Sequence, residues 1–312
     1  MNVFQHHDRD FGRNRYVYPV VSRRSRGVSI GIDLTHERCT FRCVYCSELA
    51  KREGAPVTEA ELDADGALPQ GTCRLAKPVE MEILERELGE TLALAASGRL
   101  FQLPLFAETP AGFRRLSDIA LSGSGEPTLS PSFEEVCRLI RRMGESARSS
   151  GKWPSPKAVL ITNATALHLP RVQRGLDALG PDMAEIWAKL DAGTEAHFQK
   201  INRARVPFSL VLDNLLAEGR RRPIFIQSMF GILEGAAPAP GEIGAWIGRL
   251  RALKEGGAAI RGVQVYTVAR ASKGGPMQAL SDGELQSIAA RVREETGIPT
   301  AWFGASGGMG DA

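Results

Sequence analysis

The sequence predicts an α/β fold built on a parallel sheet. Two observations carry that expectation. Apolar, strand-like runs recur along the 312 residues, and amphipathic, helix-like stretches lie between them. Strands that alternate with helices pair in parallel through right-handed crossovers. Six such units make a barrel, or most of one. In barrels of this kind the reactive groups sit at the carboxyl ends of the strands.

The elements follow in order. Residues 1–27 form a basic N-terminal extension, in which Arg9, Arg13, Arg15, Arg23, Arg24 and Arg26 stand against only Asp8 and Asp10. Such an arm can meet phosphates. The run Tyr16-Val17-Tyr18-Pro19-Val20-Val21 is too apolar for a free tail, and favours an arm packed as an extra extended segment. The first strand is Val28–Leu34, where apolar residues alternate strictly. Ile119–Ser122, Ala158–Thr162, Glu185–Leu190, Ile224–Gln227 and Gly262–Tyr266 supply the second to the sixth. Helical stretches lie at 80–96, 132–148, 241–254 and 281–295. Ser132-Phe133-Glu134-Glu135 and Ser281-Asp282-Gly283-Glu284 match the capping-box pattern at two helix starts.

One region breaks the rhythm. The second strand starts far beyond the first, and the excess falls in about 48–78 and in 99–117. The first of these is rich in Glu, Ala, Gly and Pro and reads as an inserted loop. Its place after the first strand suits either a cover for a site or a surface excursion. The barrel is expected to run over 28–303. The Gly-rich end, 304–312, reads as a flexible tail.

Composition narrows the class. With 43% hydrophobic and 24% charged residues and a net charge of +3, the chain is ordinary for a globular protein. No apolar run approaches the roughly 20 residues of a membrane span. The first residues lack the apolar stretch of a secretory signal. A cytoplasmic protein without a membrane partner is expected. Five cysteines, an odd number, argue against a disulfide framework.

Three of those cysteines carry the functional signal: Cys39-Thr40-Phe41-Arg42-Cys43-Val44-Tyr45-Cys46. Thiolates are soft ligands, suited to iron–sulfur clusters and to zinc. A four-iron cluster usually takes four thiolates. Three on one short loop leave one iron open to a small molecule. Zinc with His36 as a fourth ligand is the competing reading, although structural zinc sites usually draw on two separated knuckles. Cys73 and Cys137 have no C-x-x-C partner and read as small buried hydrophobes.

The spacing C-x3-C-x2-C, with an aromatic before the third cysteine, resembles the radical SAM superfamily. The resemblance covers about residues 16–303 and implies a partial (β/α)6 radical SAM barrel. It implies a [4Fe–4S] cluster on Cys39, Cys43 and Cys46, with S-adenosylmethionine (SAM) as the second cofactor. The turn Ser122-Gly123-Ser124-Gly125-Glu126-Pro127 resembles that superfamily's Gly-Gly-Glu motif, with Ser124 in place of the first glycine. By resemblance, this turn accepts hydrogen bonds from the methionyl ammonium of SAM. Together with Tyr18-Pro19-Val20-Val21-Ser22, these motifs resemble stand-alone Fe–S oxidoreductases related to the wybutosine-synthesising tRNA enzymes.

The remaining candidates come from strand ends. Asn163, in Thr162-Asn163-Ala164-Thr165, is read either as a contact to SAM or substrate or as a turn former. Alternation puts Trp187, Lys189 and Asp191 on one face of the fourth strand. A lysine pointing inwards needs a partner. Asp191 or Glu126 is one reading of that partner, and the SAM carboxylate is the other. Gln227, Gln264, Tyr266 and Arg270 are the expected substrate-facing groups. Tyr45 is expected to pack near the adenine.

The implied chemistry is reductive cleavage of SAM to methionine and a 5′-deoxyadenosyl radical, which abstracts hydrogen from a substrate. The electron would come from a partner, flavodoxin or ferredoxin. The substrate would be a small molecule, a peptide or tRNA. A tRNA-modifying enzyme and a non-catalytic Fe–S or zinc protein are the rival readings.

Overall fold

The computed structural model describes residues 3–5, 11–35, 38–48, 55–68, 74–153, 156–269 and 276–310. Arg9, Asp8, Asp10, His36, Cys73 and Arg270 lie outside the described residues. The chain divides into two compact units. One comprises Met1–His36, Leu68–Ile161 and Leu169–Glu185; the other comprises Glu37–Ala67, Thr162–His168 and Ile186–Ala312.

In chain order the first elements are β1 (Val17–Ser22), β2 (Gly27–Ile32), α1 (Glu59–Gly66), α2 (Met81–Ala96), β3 (Leu116–Leu121), α3 (Phe133–Ser149), β4 (Ala158–Thr162) and α4 (Pro170–Leu179). They are followed by β5 (Ala184–Lys189), α5 (Glu195–Asn202), α6 (Phe208–Arg221), β6 (Ile224–Met229), β7 (Gly231–Leu233), α7 (Pro240–Glu255), β8 (Ile260–Tyr266), β9 (Met277–Ala279), α8 (Asp282–Thr296), β10 (Thr300–Phe303) and β11 (Met309–Gly310). All six expected strands are present, as β2, β3, β4, β5, β6 and β8.

In the first unit, β2 pairs in parallel with β3, and β3 with β4, in the register Ile119↔Ala158 to Leu121↔Leu160. Within the N-terminal extension, residues 17–22 are not a free arm. Its apolar run forms β1, which pairs antiparallel with β2 from Val17↔Ile32 to Ser22↔Gly27 and buries Tyr16, Tyr18 and Val20. Arg15 is ion-paired to Glu80, and the Arg23 guanidinium lies 6.0 Å from the Phe4 ring. Helix α3 buries Phe133, Val136, Cys137, Leu139, Ile140 and Gly144, a single stripe at helical spacing. Its expected capping box does not form. The Ser132 hydroxyl accepts from the Val79 amide at 3.0 Å instead, so a tertiary contact takes the capping group.

In the second unit, β6 pairs in parallel with β5 from Ile186↔Ile224 to Lys189↔Gln227, and with β8 through Gln227↔Gln264. Parallel β10 extends this group beyond β8. Of the expected tail 304–312, residues 304–310 turn back at Gly304, whose amide donates to Gly308 O at 2.8 Å, and β11 pairs antiparallel with β10. The insertion at 48–78 holds helix α1, started by a capping box between Thr58 and Glu61. The box expected at Ser281 and Glu284 forms at the start of α8. No helix among the described residues is long and apolar enough to cross a membrane.

Candidate functional site

The cysteine loop is fastened within the second unit by the last turn of α5. The Arg42 amide donates to Asn202 O at 2.8 Å, and the Val44 amide to Ile201 O at 2.9 Å. The last carbonyls of a helix have no partner inside it, so they are available to bind a passing loop. Val44 lies in an apolar cluster with Ile201, Leu233, Val268 and Met277. Phe41 meets Phe198 edge to face at 5.3 Å, and Phe198 stacks on Phe208 at 4.9 Å. Apolar residues between the cysteines therefore hold the loop while the sulfurs are left for chemistry.

None of the three cysteines is in a disulfide: Cys43 is buried, and Cys39 and Cys46 are half-buried. Burial pushes the Cys43 thiol up to about 12, and the nearby Asp191 carboxylate and Cys46 add to the rise. Such a thiol stays protonated near neutral pH and ionises only against a cation. Amide groups are already turned to the sulfurs. Asn202 Nδ2 lies 3.3 Å from Cys43 Sγ, Asn163 Nδ2 lies 3.5 Å from Cys39 Sγ, and the Phe41 amide lies 3.4 Å from the same atom. No group of three or more metal-binding side chains is gathered as a centre among the described residues. The donor chemistry, soft sulfurs with N–H groups around them, fits a thiolate-bound cluster.

A second layer surrounds Asp191. Its Oδ2 accepts from the Tyr45 hydroxyl and from Asn202 Nδ2 at 3.0 Å. Its Oδ1 accepts from the Met229 amide at 2.9 Å and lies 3.3 Å from Lys189 Nζ. Lys189 also donates to the Tyr266 hydroxyl at 2.5 Å and sits 5.0 and 5.1 Å from the Tyr45 and Tyr266 ring centres. Burial disfavours the ammonium, but Asp191 and its neighbours outweigh burial and hold Lys189 above the usual lysine range. Of the partners weighed for Lys189, this structure realises Asp191.

The chain after Asp191 is fixed on α7. Glu242 accepts from the amides of Gly193 and Thr194 at 2.5 and 3.2 Å, and from the Thr194 hydroxyl at 2.6 Å. A Cβ on Gly193 would lie 2.1 Å from Trp246 N, so only glycine allows this approach.

Asn163 is both turn former and neighbour of Cys39. Its Nδ2 donates to Thr40 Oγ1 at 2.7 Å, and its Oδ1 accepts from Thr165 N and Oγ1 at 3.1 and 2.8 Å. Ala164 follows with φ +67°, a left-handed conformation that costs a non-glycine residue about 1–2 kcal/mol. Asn214 Nδ2 holds it in place through Ala164 O and Thr165 O at 2.8 and 3.0 Å. Gln227 Nε2 donates to Gln264 Oε1 at 2.7 Å, and Gln227 Oε1 is buried without a partner. These two expected substrate contacts are paired with each other.

The first unit carries the Gly-Glu-Pro turn. Asp33 Oδ2 accepts from the Ser124 amide at 3.0 Å and from its hydroxyl at 2.5 Å. The serine that stands for glycine in the motif therefore has a partner of its own. A Cβ on Gly123 would lie 2.3 Å from Asp33 Oδ1. Glu126 is buried, and its Oε1 caps the short helical turn Pro127–Leu129 through Thr128 N and Oγ1 at 3.3 and 2.6 Å.

Asn202 was not among the sequence candidates. It carries no motif, and its partner Cys43 lies 159 residues away. Its Oδ1 is buried with no hydrogen bond, a loss worth about 1–3 kcal/mol.

No protein-family model matches this chain, and no curated protein does. Solved structures do. SuiB of Streptococcus suis, bound to S-adenosylmethionine, matches with a TM-score of 0.54 and 12% identity over 89% of this chain and 50% of that one. SuiB bound to its precursor peptide SuiA matches at 0.55 and 12%, over 88% and 48%. A radical SAM methyltransferase from Sphaerobacter thermophilus matches at 0.54 and 13%, over 92% and 68%. The chain thus spans about half the length of the SuiB chains. What it shares with these proteins at such identity is the fold, and that fold is the partial (β/α)6 barrel of radical SAM enzymes.

Proposed function

We propose that this chain is a radical SAM enzyme, with Cys39, Cys43 and Cys46 holding a [4Fe–4S] cluster. The observation that carries the reading is the loop itself: three cysteines within eight residues, none in a disulfide, with amides of Asn202, Asn163 and Phe41 turned to two of the sulfurs. When bound, such a cluster supplies the single electron that cleaves SAM into methionine and a 5′-deoxyadenosyl radical.

The chain's own residues bind, orient and shield. Val44 and Phe41 anchor the cysteine loop in apolar surroundings. Glu126 supplies a buried carboxylate for the methionyl ammonium, on a turn that Asp33 makes rigid. Asn163 and Tyr45 are the further candidates for SAM contact, and Gln227, Gln264 and Tyr266 for substrate contact. Lys189 and Asp191 order this wall by compensating each other's charge. The electron comes from flavodoxin or ferredoxin, and the substrate is a small molecule or a peptide. The tRNA reading is weaker, because β1 is buried and Arg15 and Arg23 have partners in the chain.

The test is direct. Anaerobically reconstituted protein, given dithionite and SAM, should release 5′-deoxyadenosine. A sample that carries its full iron and sulfide yet releases none refutes the enzyme reading and leaves a non-catalytic Fe–S protein.

A further inference from the structure

We propose that Asn202 is the positioning residue of the cysteine loop, and that its side-chain amide sets the sulfur of Cys43 for the metal group it binds. The proposal deepens the reading above and rests on it. Asn202 is the last residue of α5 and is fully buried. Its main-chain carbonyl already fastens the loop through the Arg42 amide. That contact is independent of the side chain, so it does not explain why the side chain is an amide.

Packing does not explain it either. A buried amide leaves Oδ1 without a partner, and an apolar side chain of equal size would fill the space without that loss. The need is not set by Asp191, which already has the Tyr45 hydroxyl, the Met229 amide and Lys189. What remains is the donor 3.3 Å from Cys43 Sγ. An N–H directed at a sulfur stabilises thiolate over thiol. It also stabilises the more negative, reduced state of a thiolate-bound cluster, so it raises the potential. One amide thus spans the sulfur of Cys43 and the carboxylate of Asp191, and holds the two at a fixed separation.

The experiment uses the full chain with Asn202→Leu, which keeps the volume, and Asn202→Ala as the second variant. Cobalt(II) is titrated into anaerobic apoprotein, and the thiolate-to-cobalt absorption is followed. The reconstituted protein is then titrated with reductant under EPR. The proposal expects cobalt affinity to fall about 10–100-fold, the usual effect of removing an outer partner of a metal ligand. It also expects the cluster potential to move to more negative values.

Cobalt affinity within twofold of wild type and an unmoved potential, in either variant that still unfolds cooperatively, overturn it. So does loss of cooperative unfolding in both variants, which assigns Asn202 to the fold alone. If wild type takes up no four-iron cluster, the radical SAM reading fails and the cobalt titration alone judges Asn202. If wild type gives no thiolate-to-cobalt band, the proposal fails with it.

Discussion

Lys189→Met isolates the charge pair beneath the cysteine loop. Lys189 and Asp191 are 14% and 1% exposed, with 3.3 Å between Nζ and Oδ1. Removing one member of a buried pair typically costs about 3–5 kcal/mol, because the other charge is left uncompensated. Here Asp191 keeps three donors, from Tyr45, Asn202 and Met229, which places the cost near the low end, about 3 kcal/mol. The Tyr266 hydroxyl also loses its donor, adding about 1 kcal/mol, while the methionine stem retains most of the packing. The expected loss is therefore about 3–4 kcal/mol in urea unfolding of the apoprotein.

In an Asp191→Asn background the same substitution should cost only about 1 kcal/mol, since no charge is stranded. The double-mutant cycle then gives a coupling of about 2–3 kcal/mol. The sign with pH also follows. The Lys189 ammonium is held above its usual range, so its contribution is complete below the ordinary lysine value and is lost only as pH rises through the raised one. The penalty should be constant from about pH 6 to 9. A coupling below about 0.5 kcal/mol would refute the pairing.

Two further outcomes are expected. Gly193→Ala places a methyl group against the backbone of α7, which cannot yield as a side chain does; it should lower stability by at least about 2–3 kcal/mol, and a shift in unfolding free energy under about 1 kcal/mol would contradict the close approach. Glu126→Gln retains the oxygen that caps Pro127–Leu129 but removes the charge, so SAM affinity measured by equilibrium dialysis should drop about tenfold to a hundredfold with cluster content unchanged; equal affinity would remove Glu126 from SAM binding.

The strands were legible because each is a short apolar run with its own alternation, as Val28–Leu34 shows. The cysteine loop was legible because its three ligands are close in sequence. Capping was legible only where nothing competed. Ser281 caps α8 as its sequence suggests, whereas Ser132 is claimed by Val79. The box at Thr58 and Glu61 was present in the sequence, but the Gly- and Pro-rich surroundings masked it as a loop.

Tertiary pairing was the illegible part. Nothing local marks Asn202 as the neighbour of Cys43, or Gln227 as the partner of Gln264. Residues expected as substrate contacts because they interrupt apolar strands also pair with each other across a ladder. Ala164 shows the same limit. Its left-handed backbone departs from what an alanine prefers, and it is held by Asn214, fifty residues on.

The central claim is that Cys39, Cys43 and Cys46 together hold one four-iron cluster. Iron and acid-labile sulfide should be counted after anaerobic reconstitution of wild type and of four single variants: Cys39→Ala, Cys43→Ala, Cys46→Ala and Cys137→Ala. The account predicts about four irons and four sulfides per chain in wild type and in Cys137→Ala, whose thiol is buried in α3. It predicts loss or rapid bleaching of the cluster in each of the other three. A full, stable iron count in Cys43→Ala would contradict it.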